Sequence, residues 1–140
     1  MYRYICINLR PLLVVGKLDF VKPLKKFGIC KLPVPSGILS ISFDGTLKVF
    51  NYSMKMIDGH PVGFLPYDVC ETNPGKNFVV VGQSNTIKML NLPEKSFTDW
   101  LTISEVDQNE GFSAAAFIGN KSWVALGLAL NHKIYIVSLT

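Results

Sequence analysis

Apolar residues in this chain fall in short runs rich in Val, Ile, Phe and Tyr, and Gly, Pro, Asn or Asp interrupts them about every 8 to 12 residues. No long stretch carries the helical period, so the pattern predicts an all-β chain of short strands. Tight turns divide it into hairpins. Asp44-Gly45-Thr46 joins Gly37–Phe43 to a strand from Leu47, Ser84-Asn85-Thr86 joins Asn77–Gly82 to a strand from Ile87, and Asn131-His132 joins Trp123–Leu130 to a strand from Ile134. Asp-Gly is a hairpin signal because both residues tolerate a positive φ. Each hairpin is preceded by another strand and turn: Lys26–Leu32 before Pro33–Ser36, Phe64–Thr72 before Asn73–Lys76, and Phe112–Ile118 before Gly119–Lys121. Fourth strands are expected at Pro11–Val15, Ser53–Ile57 and Phe97–Ile103.

The hairpin strands, Phe78–Val81 most clearly, are apolar at every position, which suits strands covered on both faces. The fourth strands mix polar and apolar residues, as a solvated outer edge would. The strand that ends each group repeats a template of apolar residues closing on Asn or Ser and then a large side chain: Tyr4–Leu9, Leu47–Tyr52, Ile87–Leu92 and Ile134–Leu139. The Asn or Ser stands at positions 8, 51, 91 and 138, with spacings of 43, 40 and 47. That is the period of a four-stranded propeller blade.

Asp44-Gly45-Thr46-Leu47-Lys48-Val49-Phe50-Asn51 resembles the end of a WD40 repeat, with Phe50-Asn51 and Leu90-Asn91 where that family has Trp-Asp. Gly59-His60 precedes Leu90-Asn91 by 31 residues, as the family's Gly-His pair does. The resemblance covers essentially the whole chain, but the motifs are degenerate. There is no Trp-Asp, a single Gly-His, and Asp44 alone fills the family's turn aspartate. The resemblance implies WD40-like β-propeller blades, about three of them, four-stranded and antiparallel, in a partial or open propeller. Gly59, His60, Asp44, Gly45, Phe50 and Leu90 then take the structural positions of the repeat. Counted from the outer strand, the units are 11–52, 53–92 and 93–140, with 1–10 the end of a preceding blade. Closed propellers need at least four blades. The expectation is the C-terminal part of a longer propeller, a shortened gene product, or a partial ring completed by a second chain.

Composition agrees with a packed β protein. The 140 residues are 49% hydrophobic and 17% charged, which excludes disorder. No run approaches the roughly 18 to 20 apolar residues of a membrane span, and Pro11–Val15 after Arg3 and Arg10 makes a poor signal peptide. An intracellular protein, cytoplasmic or nuclear and without a membrane, is expected. Cys6, Cys30 and Cys70 are odd in number and lack metal-ligand spacing, and they read as buried free thiols. The net charge of +4 hides two poles: seven basic residues against Asp19 in residues 1–31, and five acidic ones against Lys95 from Glu94 to Glu110. The lysines are spaced out and no aromatic or Arg/Gly pattern accompanies them, so the composition argues against nucleic acid, which stays an alternative through residues 1–31.

No catalytic constellation emerges. His60 and His132 lie in separate units, Cys30 and Cys70 have no base beside them, and Asn73-Pro74-Gly75-Lys76 lacks the P-loop spacing. Trp123 reads as core and Trp100 as a partly exposed interface anchor. No enzyme activity, metal or cofactor is expected. The function that remains is a non-catalytic protein–protein interaction scaffold or adaptor within a multiprotein complex. A fragment of a propeller enzyme is a further alternative. The expected contact surface is the face bearing the hairpin turns and connecting loops, with Asp44, Gly45, Asp58, His60, Ser84, Asn85, Asp107, Glu110, Asn131 and His132, together with Trp100.

Overall fold

The computed structural model describes residues 29–34, 37–128 and 133–139. The strands expected at Tyr4–Leu9 and Pro11–Val15, and the unit end at 1–10, lie outside the described residues, as do Cys6, Asn131 and His132. Three antiparallel sheets follow one another along the chain. The first meanders through β1 (Ile29–Val34), β2 (Gly37–Ser42), β3 (Thr46–Asn51) and β4 (Met56–Pro61). The second repeats that order with β5 (Pro66–Asn73), β6 (Asn77–Gly82), β7 (Thr86–Asn91) and β8 (Ser96–Thr102). The third has three described strands, β9 (Phe112–Ile118), β10 (Trp123–Leu128) and β11 (Ile134–Ser138), with a 3-10 turn at Gly119–Lys121. The sheets stack face to face and contact each other chiefly through their first strands, β1 against β5 and β5 against β9. This is an all-β, open array of propeller-like blades.

The doubly apolar strands are explained by the stacking. Side chains alternate across a strand, and both faces of β6 are covered. Phe78 and Val80 join Leu39, Ile41, Leu47 and Val49 of the first sheet in one core, while Val79 and Val81 join Phe112, Ala115, Val124 and Leu126 of the third in another. All four β6 residues are fully buried. Burial of each contributes roughly 1.5–3 kcal/mol relative to exposure, so the middle sheet ties its two neighbours into one body.

The recurring Asn closes hairpins. Asn51 Oδ1 accepts the Lys55 N–H at 3.0 Å, and the Asn51 carbonyl accepts the Met54 N–H at 2.9 Å. In the second sheet Asn91 Oδ1 accepts the Glu94 N–H at 3.3 Å. Both turns use a left-handed residue, Met54 at φ 64° and Lys95 at φ 53°. This shifts the outer strand of the first sheet from the expected Ser53–Ile57 to Met56–Pro61, because residues 52–55 are consumed by the turn. The counterpart in the second sheet falls within a residue of its expected position.

Alternating strand directions sort the connections onto two ends. The β2–β3 and β6–β7 turns share one end with the β4–β5 and β8–β9 connections, where Val62 N–H donates to Gly45 O at 2.8 Å and Ile103 N–H to Asn85 O at 3.0 Å. The β3–β4, β5–β6, β7–β8 and β9–β10 turns occupy the opposite end, where Leu92 N–H donates to Lys76 O at 2.7 Å.

Candidate functional site

At the first end Asp44 shapes its own turn. Its Oδ1 accepts the Thr46 N–H at 3.0 Å and the Thr46 hydroxyl at 2.6 Å, and Lys48 stands 4.0 Å from Oδ2. Partial burial pushes the carboxyl up, but the Thr46 hydroxyl and N–H, the Lys48 ammonium and the Ser42 hydroxyl outweigh it and hold Asp44 below its ordinary value. Asp44 is therefore a fixed anion. Gly45, at φ 83°, takes the turn position that L side chains avoid.

The β6–β7 turn and the β8–β9 connection form one cross-linked surface. Ser84 Oγ accepts the Thr86 N–H at 3.0 Å, Gln83 Nε2 donates to Asn109 O at 3.1 Å, and Asp107 Oδ1 accepts the Asn109 N–H at 2.7 Å. Asp107 O also accepts the N–H groups of Glu110 and Gly111, each at 3.1 Å. Gly111 has φ 66°, and a Cβ there would collide with the Gly82 carbonyl and the Ser84 N–H. A side chain would push the two loops apart. The structure thus brings Ser84, Asn85, Asp107 and Glu110 together, with Asp44 on the same end of the neighbouring sheet.

The remaining expected site residues lie elsewhere. Asp58 and His60 are not in a connecting loop but within β4, half-buried opposite Val49 and Leu47. Their side chains meet at 3.0 Å between His60 Nε2 and Asp58 Oδ2, and the His60 ring lies 5.6 Å from that of Phe97 on the second sheet. Gly59 between them is exposed, and a Cβ there would meet the Met56 sulfur at van der Waals distance, 3.5 Å. Phe50 is half-buried and Leu90 fully buried in the first core. Of the two tryptophans, Trp123 departs from expectation. Trp100 is half-buried against the second core, whereas Trp123 is 40% exposed, because it opens β10 on the outward side of the third sheet.

Asp68, which the sequence pattern does not single out, is buried between sheets. Its Oδ1 accepts the Val69 N–H at 2.9 Å and its Oδ2 the Ala115 N–H at 3.0 Å. β9 is an edge strand of its sheet, and edge strands leave N–H groups without ladder partners. The Asp68 carboxylate takes one of them and so links β5 to β9. An acid between Tyr67 and Val69 in the mostly apolar run Phe64–Thr72, which also holds Glu71, is the only sequence signal for it. Cys70, one step along the same face, is buried. Burial first, and the Asp68 charge second, push its thiol up to about 12, so it is protonated at neutral pH and a poor nucleophile. The side chain of Cys30 lies outside the described residues. Among the described residues no three His, Cys, Asp or Glu side chains are grouped to hold a metal ion.

Charge is segregated by end. The first end carries Asp44, Glu105, Asp107 and Glu110 against Lys133 and Lys48, which stands beside Asp44; the opposite end carries Lys55, Lys76, Lys95 and Lys121 against Glu71 and Glu94. The acidic stretch from Glu94 to Glu110 is therefore divided. Glu94 belongs to the lysine end, and Asp99 pairs with Lys88 at 3.4 Å in mid-sheet.

No helix among the described residues is long and apolar enough to cross a membrane. No protein-family model and no curated protein matches the sequence. Among solved structures, the chain is similar to the β-propeller domain of Cps50 (Swd1) from Myceliophteria thermophila, at 17% identity and a TM-score of 0.56. The likeness covers 97% of this chain but 44% of that one, so the 140 residues span less than half the length of the structure they resemble. At that identity the likeness concerns the fold, which is that of β-propeller blades.

Proposed function

We propose that this chain is a non-catalytic interaction scaffold of WD40 type that binds a protein partner through its acidic end. The observation that carries the reading is the cross-linked pair of loops at Gln83–Thr86 and Ile103–Gly111. Their backbones are held by each other and by their own side chains, so the Asp107 and Glu110 carboxylates are presented with little ordering left to lose on binding. Asp44, Ser84 and Asn85 extend the surface, and a basic protein partner complements its charge. The half-buried Asp58, His60 and Trp100 serve packing in this reading rather than contact. Asn131 and His132, outside the described residues, complete the proposed contact set.

The proposed sequence units 11–52, 53–92 and 93–140 each open on an outer strand, and the sheets are offset from them by that strand, since β4 closes the first sheet and β8 the second. The ring is completed by further blades of a longer protein or by a second chain. The outward face of the third sheet supports this, since Ala114, Ala116, Ile118, Ala125, Gly127 and Ile134 line a shallow apolar depression of about 70 Å³, a liability unless covered.

Charge reversal tests the reading. Asp107→Lys with Glu110→Lys should abolish partner recovery in a pull-down from cells expressing the tagged full-length protein, while the melting temperature stays within a few degrees of the parent. Undiminished recovery would overturn the assignment.

A further inference from the structure

A second surface lies at the lysine-bearing end, away from the acidic loops. Of the seven large hydrophobic side chains exposed among the described residues, four fall between positions 52 and 57: Tyr52, Met54, Met56 and Ile57. Tyr52 is 74% and Met56 53% exposed. They occupy the β3–β4 turn and the start of β4, the outer edge strand of the first sheet. Singly scattered apolar residues on a surface need no explanation, but a contiguous group does. The group is rimmed by cations. Lys55 lies within it, and Lys95 reaches across from the neighbouring sheet to place its Nζ 3.4 Å from the Ile57 carbonyl. An ammonium has three donors, so Lys95 holds the edge carbonyl and keeps others for an incoming acid.

We infer that this rim docks an extended acidic peptide whose apolar side chains pack on Met54, Met56 and Ile57 while its carboxylates pair with Lys55 and Lys95. Methionine suits such a surface because its flexible, polarisable side chain adapts to different apolar partners. The alternative polyanion, single-stranded nucleic acid, binds through stacking platforms and phosphate-forking arginines. The patch has one aromatic ring, Tyr52, beside three aliphatic side chains, Met54, Met56 and Ile57, and both arginines of the chain, Arg3 and Arg10, lie outside the described residues.

The probe is a fluorescein-labelled peptide in which glutamate alternates with leucine and phenylalanine, titrated with the chain and followed by fluorescence anisotropy. Saturable binding is expected, weakened about tenfold or more both by Lys55→Glu with Lys95→Glu and by Met56→Ser with Ile57→Ser. These are exposed positions, so circular dichroism melts should confirm that the variants fold. Asp107→Lys with Glu110→Lys should leave peptide binding intact, which separates this surface from the acidic end. Three results would overturn the inference: no saturable binding, binding indifferent to the lysine reversal, or an oligothymidylate that binds at least as tightly and ignores the Met56 and Ile57 changes. Light scattering that showed the patch buried in a dimer, dissociated by Met56→Ser, would equally do so.

Discussion

At the scale of single residues, the buried Asp68 is the position where one substitution says most about the fold. Its carboxylate accepts N–H groups from its own strand and from β9, so it substitutes for a missing strand neighbour at the point where two sheets converge. Removing the acceptor leaves the Ala115 N–H buried without that partner, and such a loss costs about 1–3 kcal/mol. Asp68→Ala should lower the urea midpoint accordingly. Asp99→Ala is the contrast: its side chain is 70% exposed while its partner Lys88 is half-buried, and ion pairs open to solvent contribute about 0–1 kcal/mol. Equal effects of the two changes would show that the inter-sheet bond carries no special weight. Asp68 escapes sequence reading for a physical reason. An acid inside a strand that also carries Glu71 looks like a solvated position, and only the convergence of β5 and β9 reveals what it binds.

At the scale of elements, hairpin chemistry was readable in outline and missed in register. Asp44-Gly45-Thr46 formed the turn its composition called for, and the inner hairpin strands fell where the apolar runs lie. The first outer strand did not, because Asn51 closes a longer turn through the Lys55 N–H, and Asp58-Gly59-His60 is thereby drawn into β4. A side-chain acceptor four residues before its donor leaves no periodic trace. The same turn holds Met54 at φ 64°, a left-handed conformation that costs an L-residue about 1–2 kcal/mol. Glycine escapes this cost and loses more chain entropy on folding, so the net gain is smaller. Met54→Gly should raise the unfolding free energy by about 0.5 kcal/mol in a denaturant titration. A loss of stability would mean that the exposed Met54 side chain packs more than its surface position indicates.

At the scale of the whole molecule, what the sequence could and could not reveal divides by range. The repeat period and the doubly apolar strands foretold stacked sheets, because every strand reports its own two faces. The segregation of charge was not foretold, because Lys55, Lys76, Lys95 and Lys121 come together only when turns from three sheets are sorted onto one end. The exposure of Trp123 is equally a property of the stack. On β6 of the middle sheet a residue facing either way is buried, and on the last described sheet only one face is. Ala116, Ala125 and Ile136 are cross-strand neighbours in one row of that sheet, and Ile136 is 45% exposed. An apolar face beside β11, which has no described strand on its outer side, invites association between chains. The isolated 140-residue chain should therefore show a weight-average mass that rises with concentration in light scattering. Ile136→Glu places a charge on the face without disturbing the core behind it, and surface changes of that kind alter stability by about 0.5 kcal/mol or less. It should hold the chain monomeric at concentrations where the parent associates. If the parent stays monomeric at every concentration, or the Ile136→Glu chain associates as strongly, association does not run through this face, and the ring needs no further blade against it.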